Sequence, residues 1–322
     1  MKAVVAEELC GPSGLVYRDV DDIPDQVDGA VVIDVRAAGV TFPDLLVIRG
    51  EYQMKATPPF VPGSEVAGVV VSAPEESGLS RGDRVAAGTM HGGYAERIAV
   101  PPESVFPTVP GIGDAEAVAL LRNYQTMYFA LARRGALRTG ETVLVFGSAG
   151  GIGTAAVQVA KALGAWVIAA VRRPEAVDYV GSLGADVVLP LTDGWPAAVR
   201  EHTGGVGVNL VVDPVGGDVF DDAIRVLAAE GRLLVVGYAA GRIPTVKVNR
   251  LLMRNVGVLG VGWGEYFLTH PGAEQLFGSG VSRLVQEGLR PPPPVCYPLS
   301  KARDALQLLA DGGVFGKLVL EP

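Results

Sequence analysis

ETVLVFGSAGGIGTAAVQVAKALGA, Glu141 to Ala165, is the stretch on which the reading of the whole chain turns. Its first part, Thr142 to Phe146, is a short apolar, β-branched run that ends in glycine, the pattern of a buried parallel strand entering a tight turn. Beyond the glycines, Ile152, Ala156, Val159 and Leu163 recur at helical spacing, and Gly164 stands where a helix C-cap glycine belongs. The order is strand, glycine turn, helix. Within the turn, Ser148-Ala149-Gly150-Gly151-Ile152-Gly153 matches the dinucleotide-binding hexapeptide, with its first glycine replaced by serine and Gly147 displaced one position earlier. In that context Gly150 lets the backbone approach a pyrophosphate, and Gly153 lets the helix pack on the strand. The free N–H groups and partial positive charge at the helix start, around Ser148, Gly150, Gly151 and Ile152, attract the anion. A plain strand-to-helix turn is the alternative.

A dinucleotide site places an acidic residue at the end of the next strand, about 20 residues on, to bind the adenosine ribose. Here that strand, Trp166 to Val171, is followed by Arg172 and Arg173. A carboxylate would repel a 2′-phosphate, whereas a guanidinium pairs with one in bidentate fashion. The expected cofactor is therefore NADPH rather than NADH, unless both arginines are merely solvated on a loop.

A chain of 322 residues is too long for one ordinary core, and 49% hydrophobic residues are enough to fill two. A net charge of −8 argues against a nucleic-acid surface, so a local basic pair suits one small anion. Cys10 and Cys296 lie far apart, and neither they nor His91, His202 and His270 form a metal-binding spacing. No metal is expected. The start MKAVVAEELC places Glu7 and Glu8 where a signal peptide needs apolar residues, and no apolar run reaches membrane-spanning length, so the expected location is the reducing cytoplasm.

From Glu141 onward strands and helices alternate, with strands at Val143–Phe146, Val167–Val171, Asp186–Leu189, Val208–Asp213, Arg232–Val236 and Val256–Val261. Six such strands make a doubly wound parallel sheet whose first strand carries the glycine turn. Val215, Gly237, Tyr238, Val261 and Trp263 then fall at strand ends facing the cofactor crevice. The stretch before reads as an irregular antiparallel β-domain, and the C-terminal part holds two helical stretches and a last strand from Lys317 to Leu320. The expected division is a first domain of residues 1–122 and 264–322, with a dinucleotide-binding domain of residues 123–263 inserted in it.

This layout resembles the medium-chain dehydrogenase/reductase superfamily, in its zinc-independent, zeta-crystallin-like quinone oxidoreductase branch. The resemblance covers essentially the whole chain. It is carried by Ala37-Ala-Gly-Val-Thr-Phe-Pro-Asp44, Phe60-Val-Pro-Gly-Ser-Glu-Val-Ala-Gly68, Gly92-Gly-Tyr-Ala-Glu96, the glycine turn, Asp213-Pro-Val-Gly-Gly217 and Gly316-Lys-Leu-Val-Leu320. It implies an α/β protein with a GroES-like β-barrel domain and a Rossmann domain, cofactor and substrate between them, and a homodimer made by pairing the last Rossmann strands near Val256 to Trp263. Zinc-dependent relatives carry a cysteine where this chain has Thr41, a histidine where it has Ser64, and a four-cysteine lobe that it lacks.

The resemblance also assigns roles. Tyr52 matches the cleft tyrosine that related enoyl reductases use as a proton donor; a structural loop tyrosine is the alternative. Thr126 matches the threonine beside the nicotinamide; alternatively its hydroxyl bonds back to its own helical turn. Thr41 replaces a cleft asparagine, and Asp44 suits the ordering of a loop better than acid catalysis. Lys317 reaches the cofactor in the family, or is solvated before the last strand. The lysine and tyrosine that bind the 2′-phosphate in many quinone reductases appear here as Ala176 and Pro190, which leaves Arg172 and Arg173 to act alone.

Without a metal to stabilise an alkoxide, conjugated acceptors are favoured, since they spread the incoming charge over themselves. The expected activity is NADPH-dependent hydride transfer to a small quinone or similar conjugated carbonyl. Its alternatives are an enoyl or 2-alkenal reductase on the same scaffold, or a non-catalytic NADPH-binding structural or regulatory protein.

Overall fold

A computed structural model describes residues 1–53 and 55–322. They form two compact units, one of Met1–Arg122, Glu274–Gln286 and Arg290–Pro322, the other of Asn123–Ala273 with Glu287–Leu289.

The first unit begins with a hairpin-like pair, β1 (Lys2–Ala6) against β2 (Leu15–Asp19). Its main sheet is built on β3 (Val31–Val40), followed by α1 (Phe42–Ile48), β4 (Glu65–Ser72), β5 (Arg84–Gly88), β6 (Arg97–Val100), β7 (Val105–Pro107) and α2 (Asp114–Leu120). The inward residues of these strands, among them Ile33, Val35, Val66, Val70, Val85 and Ile98, make one apolar core.

The second unit opens within α3 (Arg122–Tyr128), at Asn123, and the helix continues as a π-helical turn over Phe129–Arg134. Then follow β8 (Thr142–Val145), α4 (Gly151–Ala162), β9 (Trp166–Val171), α5 (Val177–Ser182), β10 (Val187–Pro190), α6 (Trp195–His202), β11 (Val208–Asp213), α7 (Val219–Val226), β12 (Leu227–Val235), α8 (Val248–Arg254), β13 (Gly257–Gly260) and α9 (Trp263–Thr269). The strand order β10-β9-β8-β11-β12-β13 is parallel throughout. Numbered within the unit it reads 3-2-1-4-5-6, the arrangement that binds dinucleotides outside the carboxyl ends of its strands. β8, β9 and β11 are buried on both faces, which is why they appear in the sequence as unbroken apolar runs. On α4 the buried side chains are small, including Ala155, Ala156, Val157, Val159 and Ala160, so the helix lies close on the sheet.

The chain returns to the first unit through α10 (Ala273–Gln286), β14 (Val295–Pro298), α11 (Ala302–Ala310) and β15 (Leu318–Glu321). β15 pairs antiparallel with β3, and β14 lies parallel beside β15. The return comes at Glu274 and not at residue 264, because α9 stays with the second unit, where Trp263 and Tyr266 pack on Phe129 at centroid distances of 5.1 and 4.8 Å. β12 also starts earlier than its apolar pattern suggests, at Leu227, and β14 was not anticipated. No helix among the described residues is long and apolar enough to cross a membrane.

Candidate cofactor and catalytic site

The turn between β8 and α4 is fixed by its own atoms. Gly147 has φ +60°, a left-handed conformation that favours glycine, and its carbonyl accepts the Gly150 N–H at 3.0 Å. Ser148 is fully buried; its hydroxyl lies 2.8 Å from the Val145 carbonyl and 3.0 Å from that of Ala170, so it ties the turn to the ends of β8 and β9. Any contribution of Ser148 to a ligand is thereby left to its backbone.

The two glycines flanking the start of α4 differ in kind. A Cβ on Gly153 would stand 2.1 Å from the Gly147 carbonyl oxygen and 2.5 Å from the Ser148 Cα, so the fold itself requires glycine there. Gly150 has ordinary extended backbone, φ −82° and ψ 173°, and a Cβ on it would meet nothing closer than that same oxygen at 3.6 Å. The fold therefore leaves Gly150 free to be another residue, and the space its Cβ would fill is room for an approaching group. Gly150 caps α4 with no side chain, and no acidic residue lies in the first turn. The N–H groups of Gly151, Ile152 and Gly153 have no acceptor within the helix, which makes an anion cradle.

The remaining second-unit candidates gather at the carboxyl ends of the neighbouring strands. Arg172 follows the last residue of β9; it is exposed and in no ion pair among the described residues, while Arg173 is half-buried. After β11 the buried Asp213 carboxylate accepts the N–H groups of Val215 at 2.9 Å and Gly216 at 2.8 Å, closing a tight loop. Burial raises its pKa, and these two bonds oppose the rise. Ala239 and Ala240 donate to the carbonyls of Pro214 and Val215 at 3.1 and 3.0 Å, which holds the segment bearing Gly237 and the exposed Tyr238 against that loop. Val261 donates to the Val235 carbonyl at 3.0 Å, and Trp263 follows it, nearly buried. Thr126 is half-buried on α3; its hydroxyl makes no hydrogen bond among the described residues, unlike that of Thr203, which bonds back to Val199 at 2.9 Å.

In the first unit Thr41 is committed to α1. As N-cap it donates its hydroxyl to Asp44 Oδ2 at 2.6 Å and its N–H to the same oxygen at 2.9 Å, and it accepts the Asp44 N–H at 3.1 Å. Tyr94 supplies a third donor to Oδ2 at 3.1 Å, and Ser64 Oγ lies 3.4 Å from Thr41 Oγ1. Burial pushes the Asp44 carboxyl up, and burial together with Asp44 pushes the Tyr94 hydroxyl well above its ordinary value. Removing that donor with Tyr94→Phe is expected to cost about 1 kcal/mol, read from the urea midpoint.

Lys317 is nearly buried and paired with Glu65, which is wholly buried and accepts the Arg122 N–H at 3.2 Å through its other oxygen. This ion pair escaped the sequence reading. The signal was an acid opening an apolar strand, since a buried carboxylate needs a partner. Tyr52 is half-buried; its N–H donates to Leu46 at 3.2 Å and its hydroxyl has no partner among the described residues. His91 is exposed. The donor set around Thr41 and Ser64 does not fit zinc, because it offers two hydroxyls and no thiolate or imidazole, and no metal-binding cluster occurs among the described residues.

The alcohol dehydrogenase GroES-like domain model matches residues 27–111, and the zinc-binding dehydrogenase model matches residues 151–277. Quinone oxidoreductase-like protein 2 of Bos taurus is 35% identical over 323 residues, covering 99% of this chain and 92% of the relative. A probable oxidoreductase from Mycobacterium abscessus superposes with a TM-score of 0.93 at 58% identity, over 100% of this chain and 99% of that one. Mycobacterial Rv1454c, solved as a complex with NADPH, superposes with a TM-score of 0.90 at 31% identity over the whole of both chains. The chain belongs to the quinone oxidoreductase family of the medium-chain dehydrogenase/reductase superfamily.

Proposed function

We propose that this oxidoreductase binds NADPH and passes hydride to a small quinone or similar conjugated carbonyl without a metal, in the cytoplasm and as a homodimer paired through the β13 edge. The observation that carries the reading is Gly150, a glycine that the fold does not need, at the open start of α4. The uncommitted Arg172 guanidinium at the end of the next strand, with no carboxylate in that place, supports NADPH over NADH. The complex of a relative with NADPH agrees. Two exposed free thiols, Cys10 and Cys296, suit a reducing compartment.

Bound NADPH supplies a hydride from its nicotinamide ring. The backbone amides of Gly151 and Ile152 hold the pyrophosphate, and Arg172 with Arg173 hold the 2′-phosphate. Val215, Gly237, Tyr238, Val261 and Trp263 line the crevice along which the dinucleotide lies. The Thr126 hydroxyl, with no other hydrogen bond among the described residues, orients the reacting end. The acceptor carries the developing negative charge over its conjugated system, so hydrogen bonds suffice in place of a Lewis acid. Lys317 and Thr41 act indirectly, the first neutralising Glu65 and the second ordering α1.

The Tyr52 hydroxyl, which has no partner among the described residues, favours enone reduction as a second activity of the same site, in which it protonates the carbon next to the carbonyl. Tyr52→Phe is then expected to lower the enone rate about tenfold or more and to leave quinone reduction, which water can protonate, within about twofold. Full enone activity in the variant removes Tyr52 from that role. The reading as a whole is checked by following NADPH oxidation with a panel of quinones and enones, alongside direct titration of NADPH. Tight binding with no turnover of any acceptor favours a non-catalytic NADPH-binding protein, and failure to bind either reduced coenzyme overturns the assignment.

A further inference from the structure

Gln125 is a polar residue in a place made for an apolar one. It sits in α3 immediately before Thr126 and is 3% exposed, yet its Oε1 is sealed from solvent with no hydrogen-bond partner. Three other buried polar groups of the same unit are bonded: the Tyr124 hydroxyl donates to Gln158 Oε1 at 2.6 Å, and Ser148 and Asp213 each make two hydrogen bonds. A buried amide oxygen without a partner is costly to keep, and an apolar side chain of the same length would remove the cost.

The helix that carries Gln125 runs beside the residues that follow β13. Phe129 lies one turn further along the same face of the helix, and its ring packs 5.1 Å from Trp263, the residue that follows β13 at the ligand-binding end of the sheet. A side chain that offers one acceptor and a pair of donors together is complementary to a group that offers the same in reverse. A primary carboxamide does this. A quinone or enone presents only acceptors, and a phosphate only acceptors.

We propose that Gln125 recognises the carboxamide of the nicotinamide ring by a pair of opposed N–H···O bonds, and so sets which face and edge of the ring is presented. This rests on the NADPH reading above. The free protein gives up stability at this site, and selectivity for an intact carboxamide is gained in return.

The test compares NADPH with its 3-acetylpyridine analogue, in which a methyl ketone replaces the carboxamide and the donor is lost. Dissociation constants are taken by titration, so that the differing redox potentials of the two coenzymes do not enter. The wild-type chain is expected to prefer NADPH by about tenfold or more, as a site built for a hydrogen-bonding group rejects the analogue lacking it. In Gln125→Met the preference falls to within about threefold, while the melting temperature stays at or above that of the wild type. A wild-type chain that binds both coenzymes equally overturns the proposal without any variant. So does a Gln125→Met chain, or the shorter Gln125→Asn, that keeps the full preference, since the amide then satisfies only itself or a water. A wild-type chain that binds neither coenzyme instead brings down the NADPH reading.

Discussion

Gly150→Ala and Gly153→Ala, three residues apart in one turn, are expected to fail in opposite ways. The methyl group that Gly153→Ala adds would be driven into the Gly147 carbonyl and the Ser148 Cα, both backbone atoms that cannot swing aside. Either α4 lifts from the sheet or the turn unwinds, and the loss of stability is expected to reach about 3 kcal/mol. The methyl group of Gly150→Ala meets only ordinary contact, so the free variant should melt within about 0.5 kcal/mol of wild type. On the proposed reading it stands in the way of the pyrophosphate, and the NADPH dissociation constant should rise by about tenfold or more, roughly 1.4 kcal/mol. Thermal melts and coenzyme titrations on both variants separate the two effects. A Gly150→Ala chain that binds NADPH as well as wild type would show that the turn is only a connection between strand and helix.

Arg172→Ser with Arg173→Ser gives the second large effect. A charge-assisted hydrogen bond contributes roughly 1.5–3 kcal/mol, and the exposure of Arg172 places its share at the lower end. Together the two substitutions are expected to raise the KM for NADPH about 30- to 100-fold. The NADH value should move less than about threefold, because NADH has no phosphate to lose contact with. The NADPH effect should shrink in high salt, where the guanidinium charge is screened. An equal rise for both coenzymes would mean that the arginines hold up the end of β9 and do not choose between phosphates.

The dinucleotide-binding unit was readable in the sequence because its strands are buried on both faces and so appear as unbroken apolar runs, each punctuated by glycine. β8, β9 and β11 were placed to within a residue or so from that pattern alone. β14 was not, since its four residues are largely exposed and no apolar run marks them. The return point was misplaced for a related reason: the aromatic residues of α9 pack on Phe129, a contact between residues far apart in the chain that no local period records. Around the candidate site, the position of the glycine turn and of the strand-end residues was legible because glycine spacing and strand order fix them. Side-chain commitments were not. Thr41, read as replacing a cleft asparagine, is held by Asp44; Lys317, read as reaching the cofactor or as solvated, is paired with Glu65; and the Ser148 hydroxyl bridges two strand ends. Each depends on a partner that only the fold brings near. Gln125 passed unnoticed because a single glutamine in a helix carries no signal until its burial is known.

The turn after β8 is pinned by the Gly147 carbonyl and by the Ser148 hydroxyl, whereas the exposed Arg172 stands at the tip of a different strand and is tied into no ion pair among the described residues. On the proposed reading, gripping and choosing are thus divided between two parts of the surface that can vary independently. A lineage of such proteins is free to exchange one coenzyme for the other by altering the tip of β9, with the frame that holds the dinucleotide inherited unaltered. Any adaptation that reshapes the grip itself must first rebuild the frame.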